Sequence, residues 1–146
     1  MSEAARPMLR SIVLDTTDAR RLADFYHRLL GYPYGPGFEP SADDGHGPED
    51  EVDWVLLETS PDGPYLAFQK VDALRESTWP TTEVPQQLHL DLTVPDKEAL
   101  EEQHRVALDL GARLLLDESD DPEEPIYIYA DPDGHPFCIF VTARAS

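Results

Sequence analysis

His89 and Asp91 stand two residues apart in the run Gln87-Leu88-His89-Leu90-Asp91-Leu92. Successive side chains of a strand point to opposite faces, so His-x-Asp on a strand sets an imidazole beside a carboxylate. Such a pair suits general acid–base work, because imidazole exchanges protons near neutral pH. It also suits metal binding: His-x-Asp with a distant His is the pattern of a non-haem iron triad, and His135 is the only sensible third member. His135 opens a strand beside a turn, however, and joins the pair only if the strand pairing slips by one residue. Cys138 is the sole cysteine. A lone thiol is a small buried apolar group or a nucleophile, and no Lys or Arg lies near this one in sequence to activate it. The chain has no Gly-rich phosphate loop, no Ser-His-Asp order and no Cys-x-x-Cys pair.

The elements that must hold these groups are written twice. Ser11-Ile12-Val13-Leu14-Asp15-Thr16-Thr17-Asp18 leads into a helical stretch ending at Leu30-Gly31, and His89-Leu90-Asp91-Leu92-Thr93-Val94-Pro95-Asp96 leads into one ending at Leu110-Gly111. The duplication sets Ser11 against His89. In the first half, residues 8–16 read as a strand, and Thr17 or Asp18 caps a helix bearing Leu22, Phe25, Tyr26, Leu29 and Leu30. Residues 32–38 form a short strand broken by Gly and Pro, 51–59 a strand, and 65–71 another with Tyr65, Ala67 and Gln69 on one face. The second half repeats the order. It has a strand at 87–94, with Leu88, Leu90, Leu92 and Val94 facing away from His89, Asp91 and Thr93. A helix at 96–110 follows, with a stripe of Leu100, His104, Ala107 and Leu108, then strands from Arg113, over Ile126 to Ala130, and over 135–142. Asp131-Pro132-Asp133-Gly134 is a strong turn signal.

The expected fold is therefore α+β: two tandem βαβββ modules, about 8–71 and 86–142, joined by a linker at 72–85 within one domain spanning 1–146. The leucine-rich faces want helices over them. The polar faces would then form the concave wall of a curved mixed sheet, a half-barrel cup with the helices outside, carrying Ser11, Gln69, His89 and Asp91. Trp54, Trp79, Tyr32, Tyr34 and Phe38 would line its apolar part or fill core. His27 and His104 are expected at the surface or its boundary.

The chain has 30 Asp and Glu against 11 Lys and Arg, a net charge of −19. Such a field repels nucleic acid and anionic membrane surfaces and favours cationic ligands. The acids cluster at Asp43, Asp44, Glu49, Asp50, Glu51 and Asp53, and again at Glu118, Asp120, Asp121, Glu123 and Glu124. Gly and Pro surround both clusters, which read as solvated loops, with His46 in the first. No segment has the length of a membrane span, and no apolar run opens the chain, so a cytoplasmic protein without a disulfide is expected.

These residues look like a known family. Asp18, Phe25-Tyr26 and Leu30-Gly31, then His89-Leu90-Asp91-Leu92, Gly111-Ala112 and Asp131-Pro132-Asp133-Gly134-His135-Pro136-Phe137-Cys138, together resemble the vicinal oxygen chelate superfamily over about residues 9–142. Glyoxalase I, bleomycin-resistance proteins, extradiol dioxygenases and many glyoxalase-like domains belong to it. The resemblance implies four metal-ligand positions, which fall on Ser11, Gln69, His89 and Cys138. Only His89 keeps an unchanged ligand type; Cys138 stands where the family has Glu. The metal set would be His89, Gln69 and Cys138, for zinc, iron, nickel or manganese, which is short of a usual site. The acid–base Tyr of the dioxygenases falls on Ile128, so that branch is disfavoured.

The leading expectation is a glyoxalase-like small-molecule-binding protein without a complete metal site. Its ligand would contact Ser11, Gln69, His89, Asp91, Ile128 and Cys138. Two alternatives stand beside it. One is an enzyme, a lyase or isomerase or else a hydrolase, either metal-dependent through His89, Cys138, Gln69 and water, or using His89 as general base with Asp91 or Gln69 positioning the substrate. The other is a drug-sequestering protein of the bleomycin-resistance kind. The resemblance also implies a homodimer.

Overall fold

The computed structural model describes residues 5–40 and 52–142. The chain divides into two compact units, Met1–Asp72 and Ala73–Ser146. Each holds one helix and one mixed sheet, as the α+β repeat anticipates.

In the first unit, β1 (Ser11–Thr16) leads into α1 (Ala19–Leu30), then β2 (Trp54–Leu57) and β3 (Tyr65–Lys70). The sheet order is β1-β3-β2, with β1 parallel to β3 and β2 antiparallel to it. Asp18, not Thr17, caps α1: its side chain accepts from Arg21 N at 3.1 Å. Gly31 ends the helix in the left-handed region at φ 75°, and its N–H donates to His27 O. Leu22, Ala23, Phe25 and Tyr26 are buried, and Tyr26 stacks on Phe68 of β3. Each large side chain so buried contributes about 1.5–3 kcal/mol of transfer free energy.

The strand expected at 32–38 shrinks to a single bridge, Tyr34 to Leu57. Gly35 N still donates to Leu56 O, and Glu58 N to Pro33 O. Pro33 and Pro36 flank that bridge without N–H groups, so no ladder can extend in either direction. Most of the first acidic cluster (Asp43, Asp44, Glu49, Asp50 and Glu51, with His46) lies outside the described residues.

In the second unit, β4 (Leu90–Val94) leads into α2 (Lys97–Asp109), followed by β5 (Arg113–Glu118), β6 (Ile126–Ala130) and β7 (Pro136–Val141). The order is β4-β7-β6-β5. Here β4 runs parallel to β7, and the remaining pairs are antiparallel. Asp96 caps α2 by accepting from Ala99 N at 2.8 Å. Leu100 and Ala107 are fully buried, but Leu108 is 41% exposed and outside the covered stripe. Leu88 is likewise exposed, because β4 starts only at Leu90.

Strand β6 alternates strictly. Tyr127 and Tyr129 face α2, where the Tyr127 hydroxyl donates to Glu101 at 2.8 Å and the Tyr129 hydroxyl lies 2.7 Å from His104 Nδ1. Ile126 and Ile128 face the other way. The turn from β6 to β7 is built on Asp131. Its carboxylate, 2% exposed, accepts from Asp133 N at 2.8 Å and His135 N at 3.1 Å. Gly134 completes the turn at φ 91°, and a Cβ there would meet Glu76 Cγ at 2.6 Å.

Candidate functional site

The sheet face of the second unit that looks away from α2 carries a pocket of about 350 Å³. Strand alternation supplies its wall. His89 and Asp91 come from β4 and its lead-in, Ile126 and Ile128 from β6, and Pro136, Cys138 and Phe140 from β7. Trp79 and Gln86, from the segment before β4, Glu124, from the loop before β6, and Phe137 of β7 complete it. Among these lining residues there is no lysine or arginine, so the fixed charges at neutral pH are the carboxylates of Asp91 and Glu124.

Asp91 is the polar centre. The register pairs it with Cys138 across β4 and β7. The Cys138 thiol donates to Asp91 Oδ1 at 2.9 Å, and His89 Nε2 lies 3.2 Å from the same oxygen. Cys138 is only 5% exposed, whereas His89 and Asp91 are about half exposed at the rim. Burial pushes the Cys138 thiol up to about 12; the hydrogen bond to Asp91, the Asp91 charge and the more distant Glu124 charge add to it, against an opposing backbone contact at Leu92. At neutral pH this sulfur is a hydrogen-bond donor rather than a thiolate nucleophile.

Glu124 is held from behind. Asp121 Oδ1 accepts from Glu123 N at 2.8 Å and Glu124 N at 3.1 Å, which fixes the loop. Those two N–H groups also hold the Asp121 carboxyl below the usual range. The second acidic cluster is therefore more than a solvated loop: one of its members lines the pocket.

Four of the six residues singled out in the sequence, His89, Asp91, Ile128 and Cys138, line this one pocket. Ser11 and Gln69 belong to the first sheet, on neighbouring strands. Ser11 pairs with Tyr65, while Gln69 pairs with Asp15, four residues further along β1. In the repeat, Val13 corresponds to Asp91, and Val13 pairs with Ala67. The counterpart of Cys138 is thus Ala67, and Gln69 corresponds to Phe140, the partner of Thr93. A shift of two residues keeps the same face, so alternation alone cannot detect it.

Within neither unit do the described donors form a set for a divalent metal. In the first unit, Ser11 and Gln69 stand about 13 Å apart along their strands, at roughly 3.3 Å per residue. In the second, His89 and Cys138 both point their polar atoms at Asp91. Among the described residues no three His, Cys, Asp or Glu side chains are grouped so as to hold an ion. His135 is not part of the pocket wall, and its N–H serves the turn at Asp131.

Residues 11–140 match the sequence pattern of a glyoxalase-like domain. The chain belongs to that family, and through it to the vicinal oxygen chelate superfamily. This glyoxalase-like chain is similar to a glyoxalase/bleomycin resistance protein/dioxygenase family enzyme from Burkholderia phytofirmans PsJN, with TM-score 0.65 and 17% identity over 91% of this chain and 97% of that one. A glyoxalase-related enzyme from Fulvimarina pelagi matches with TM-score 0.64 and 20% identity, over 92% and 88%. The fosfomycin resistance protein FosX from Listeria monocytogenes matches with TM-score 0.64 and 14% identity, over 94% and 95%. Identities this low show the shared fold, and activity has to be argued from the site. No curated protein matches the chain. No helix among the described residues is long and apolar enough to cross a membrane.

Sequence reasoning missed Gln86, Glu124, Ile126, Pro136, Phe137 and Phe140 in the glyoxalase-like pocket. Phe140 was legible, since it shares a strand face with Cys138 two residues away. Glu124 and Gln86 sit on irregular segments, where no period signals direction. The His104–Tyr129 contact under α2 was missed too, because it joins groups 25 residues apart.

Proposed function

We propose that this glyoxalase-like chain binds a small organic cation with an apolar body, holding it as a carrier or sequestering protein without metal chemistry. The observation that carries this reading is the pocket wall: Trp79, Ile126, Ile128 and Phe140 supply apolar surface, Asp91 and Glu124 supply negative charge, and no cationic lining side chain opposes them. Apolar enclosure with a few convergent polar groups is the usual form of a small-molecule site. The net charge of −19 adds a long-range field of the same sign. Calorimetry with amphipathic amines and with carboxylates of the same skeleton tests it. Amines should bind, with affinity falling as salt rises, and carboxylates should not. Equal binding of both, or silence from both, would refute the reading.

The contact between His89 and Asp91 favours a second reading. Asp91 orients the imidazole, and His89 then serves as general base in a lyase or isomerase reaction. Any turnover found for this chain should fall by about 100-fold or more in His89→Ala. Unchanged turnover would remove His89 from the chemistry.

A further inference from the structure

Gln86 lies in the pocket wall, and its Oε1 is buried without a hydrogen-bond partner. A buried carbonyl that accepts nothing has lost its water and gained nothing in return. The terminal torsion of a glutamine is broad and soft, so the amide of this lining residue can turn without moving the backbone. Asp91 adds to the unfilled acceptors. Both of its contacts, from Cys138 and His89, fall on Oδ1, which leaves Oδ2 for a ligand. The Glu124 carboxylate stands on the same wall.

Resting on the cation reading above, we propose that the bound head group is an N–H-bearing cation, a primary or secondary ammonium or a guanidinium, which donates to Gln86 Oε1 and to Asp91 Oδ2. Charge and aromatic surface alone do not choose among cations. Trp79 and Phe140 would accept a quaternary ammonium as well as any other. The orphaned amide oxygen does choose, because a quaternary nitrogen has no N–H and leaves Gln86 as it was.

Calorimetry on the full chain should use 3-phenylpropylammonium, its N,N,N-trimethyl derivative and 3-phenylpropanol. The primary ammonium should bind at least about tenfold more tightly than the trimethyl derivative, the worth of one of its two hydrogen bonds. In Gln86→Met the gap between the two affinities should narrow, through loss at the primary ammonium alone, to what the Asp91 contact supplies, with the melting temperature not lowered. Equal or tighter binding of the trimethyl derivative, or a preference undiminished in Gln86→Met, would overturn the assignment to Gln86 and leave the cation reading intact. If neither cation binds better than the alcohol, the cation reading fails, and this inference fails with it.

Discussion

The two repeats hold the same cross-strand pair in the same register and fill it differently. In the first sheet it is Val13 with Ala67; in the second it is Asp91 with Cys138. The flanking pairs stay apolar in both: Ile12 with Leu66 and Leu14 with Phe68, against Leu90 with Phe137 and Leu92 with Ile139. Backbone pairing is therefore indifferent to the chemistry placed on the open face, so long as the face toward the helix stays apolar. The turns differ in the same way. The β2–β3 connection carries an exposed Asp62, whereas the β6–β7 connection is organised by the buried Asp131. The second unit thus combines a firmer turn with a polar centre, and the pocket lies beside both.

The largest test of that contrast is at the turns. Asp131→Ala removes the acceptor of one buried and one part-buried N–H and should lower stability by about 2–4 kcal/mol in urea unfolding. Asp62→Ala should stay within about 0.5 kcal/mol. Equal effects would show that the two turns bear the same load. Next comes exchange of the pair itself. Val13→Asp with Ala67→Cys should destabilise by about 1–3 kcal/mol, because Ala67 is fully buried and a sulfur there must displace its neighbours. The reverse exchange, Asp91→Val with Cys138→Ala, should remain folded by circular dichroism and lose binding of the amines. Retained binding would move the site away from this pair.

A smaller effect is expected at the thiol. Asp91→Asn removes the carboxylate that both accepts from and repels charge on Cys138, so iodoacetamide should alkylate Cys138 about tenfold faster at pH 8. Burial persists in that variant and keeps the rate below that of a free thiol. The smallest effect concerns alkaline stability. Cys138 is raised from 9.0 to about 12, so its contribution to stability is complete below pH 9 and is lost progressively as pH rises toward 12. Cys138→Ala should flatten the stability profile between pH 9 and 10. Above that, the buried tyrosines Tyr127 and Tyr129, also raised by burial, add their own loss. An unchanged profile would mean that the thiol is not protected.

Much of the fold was legible because periodicity and caps are local signals. Asp18, Gly31, Asp96 and Gly134 mark their boundaries by chemistry that acts within a turn or two. The site was half legible. His89, Asp91 and Cys138 follow from alternation and the turn at Gly134, a fixed landmark four residues before the cysteine. Gln69 lies two residues beyond the counterpart of Cys138; the first repeat has no such landmark, and a two-residue slip preserves the face. Gln86 was illegible, since what marks it is a missing partner, and a missing partner exists only in three dimensions.

Strand β6 separates two chemistries. Ile126 and Ile128 look into the pocket, while Tyr127 and Tyr129 anchor α2 through Glu101 and His104. Positions 126 and 128 can therefore vary with the shape of the pocket while the helix stays docked, and 127 and 129 can vary only with α2. A lineage could reshape the pocket by drifting at two residues of one short strand, without passing through an unfolded intermediate sequence.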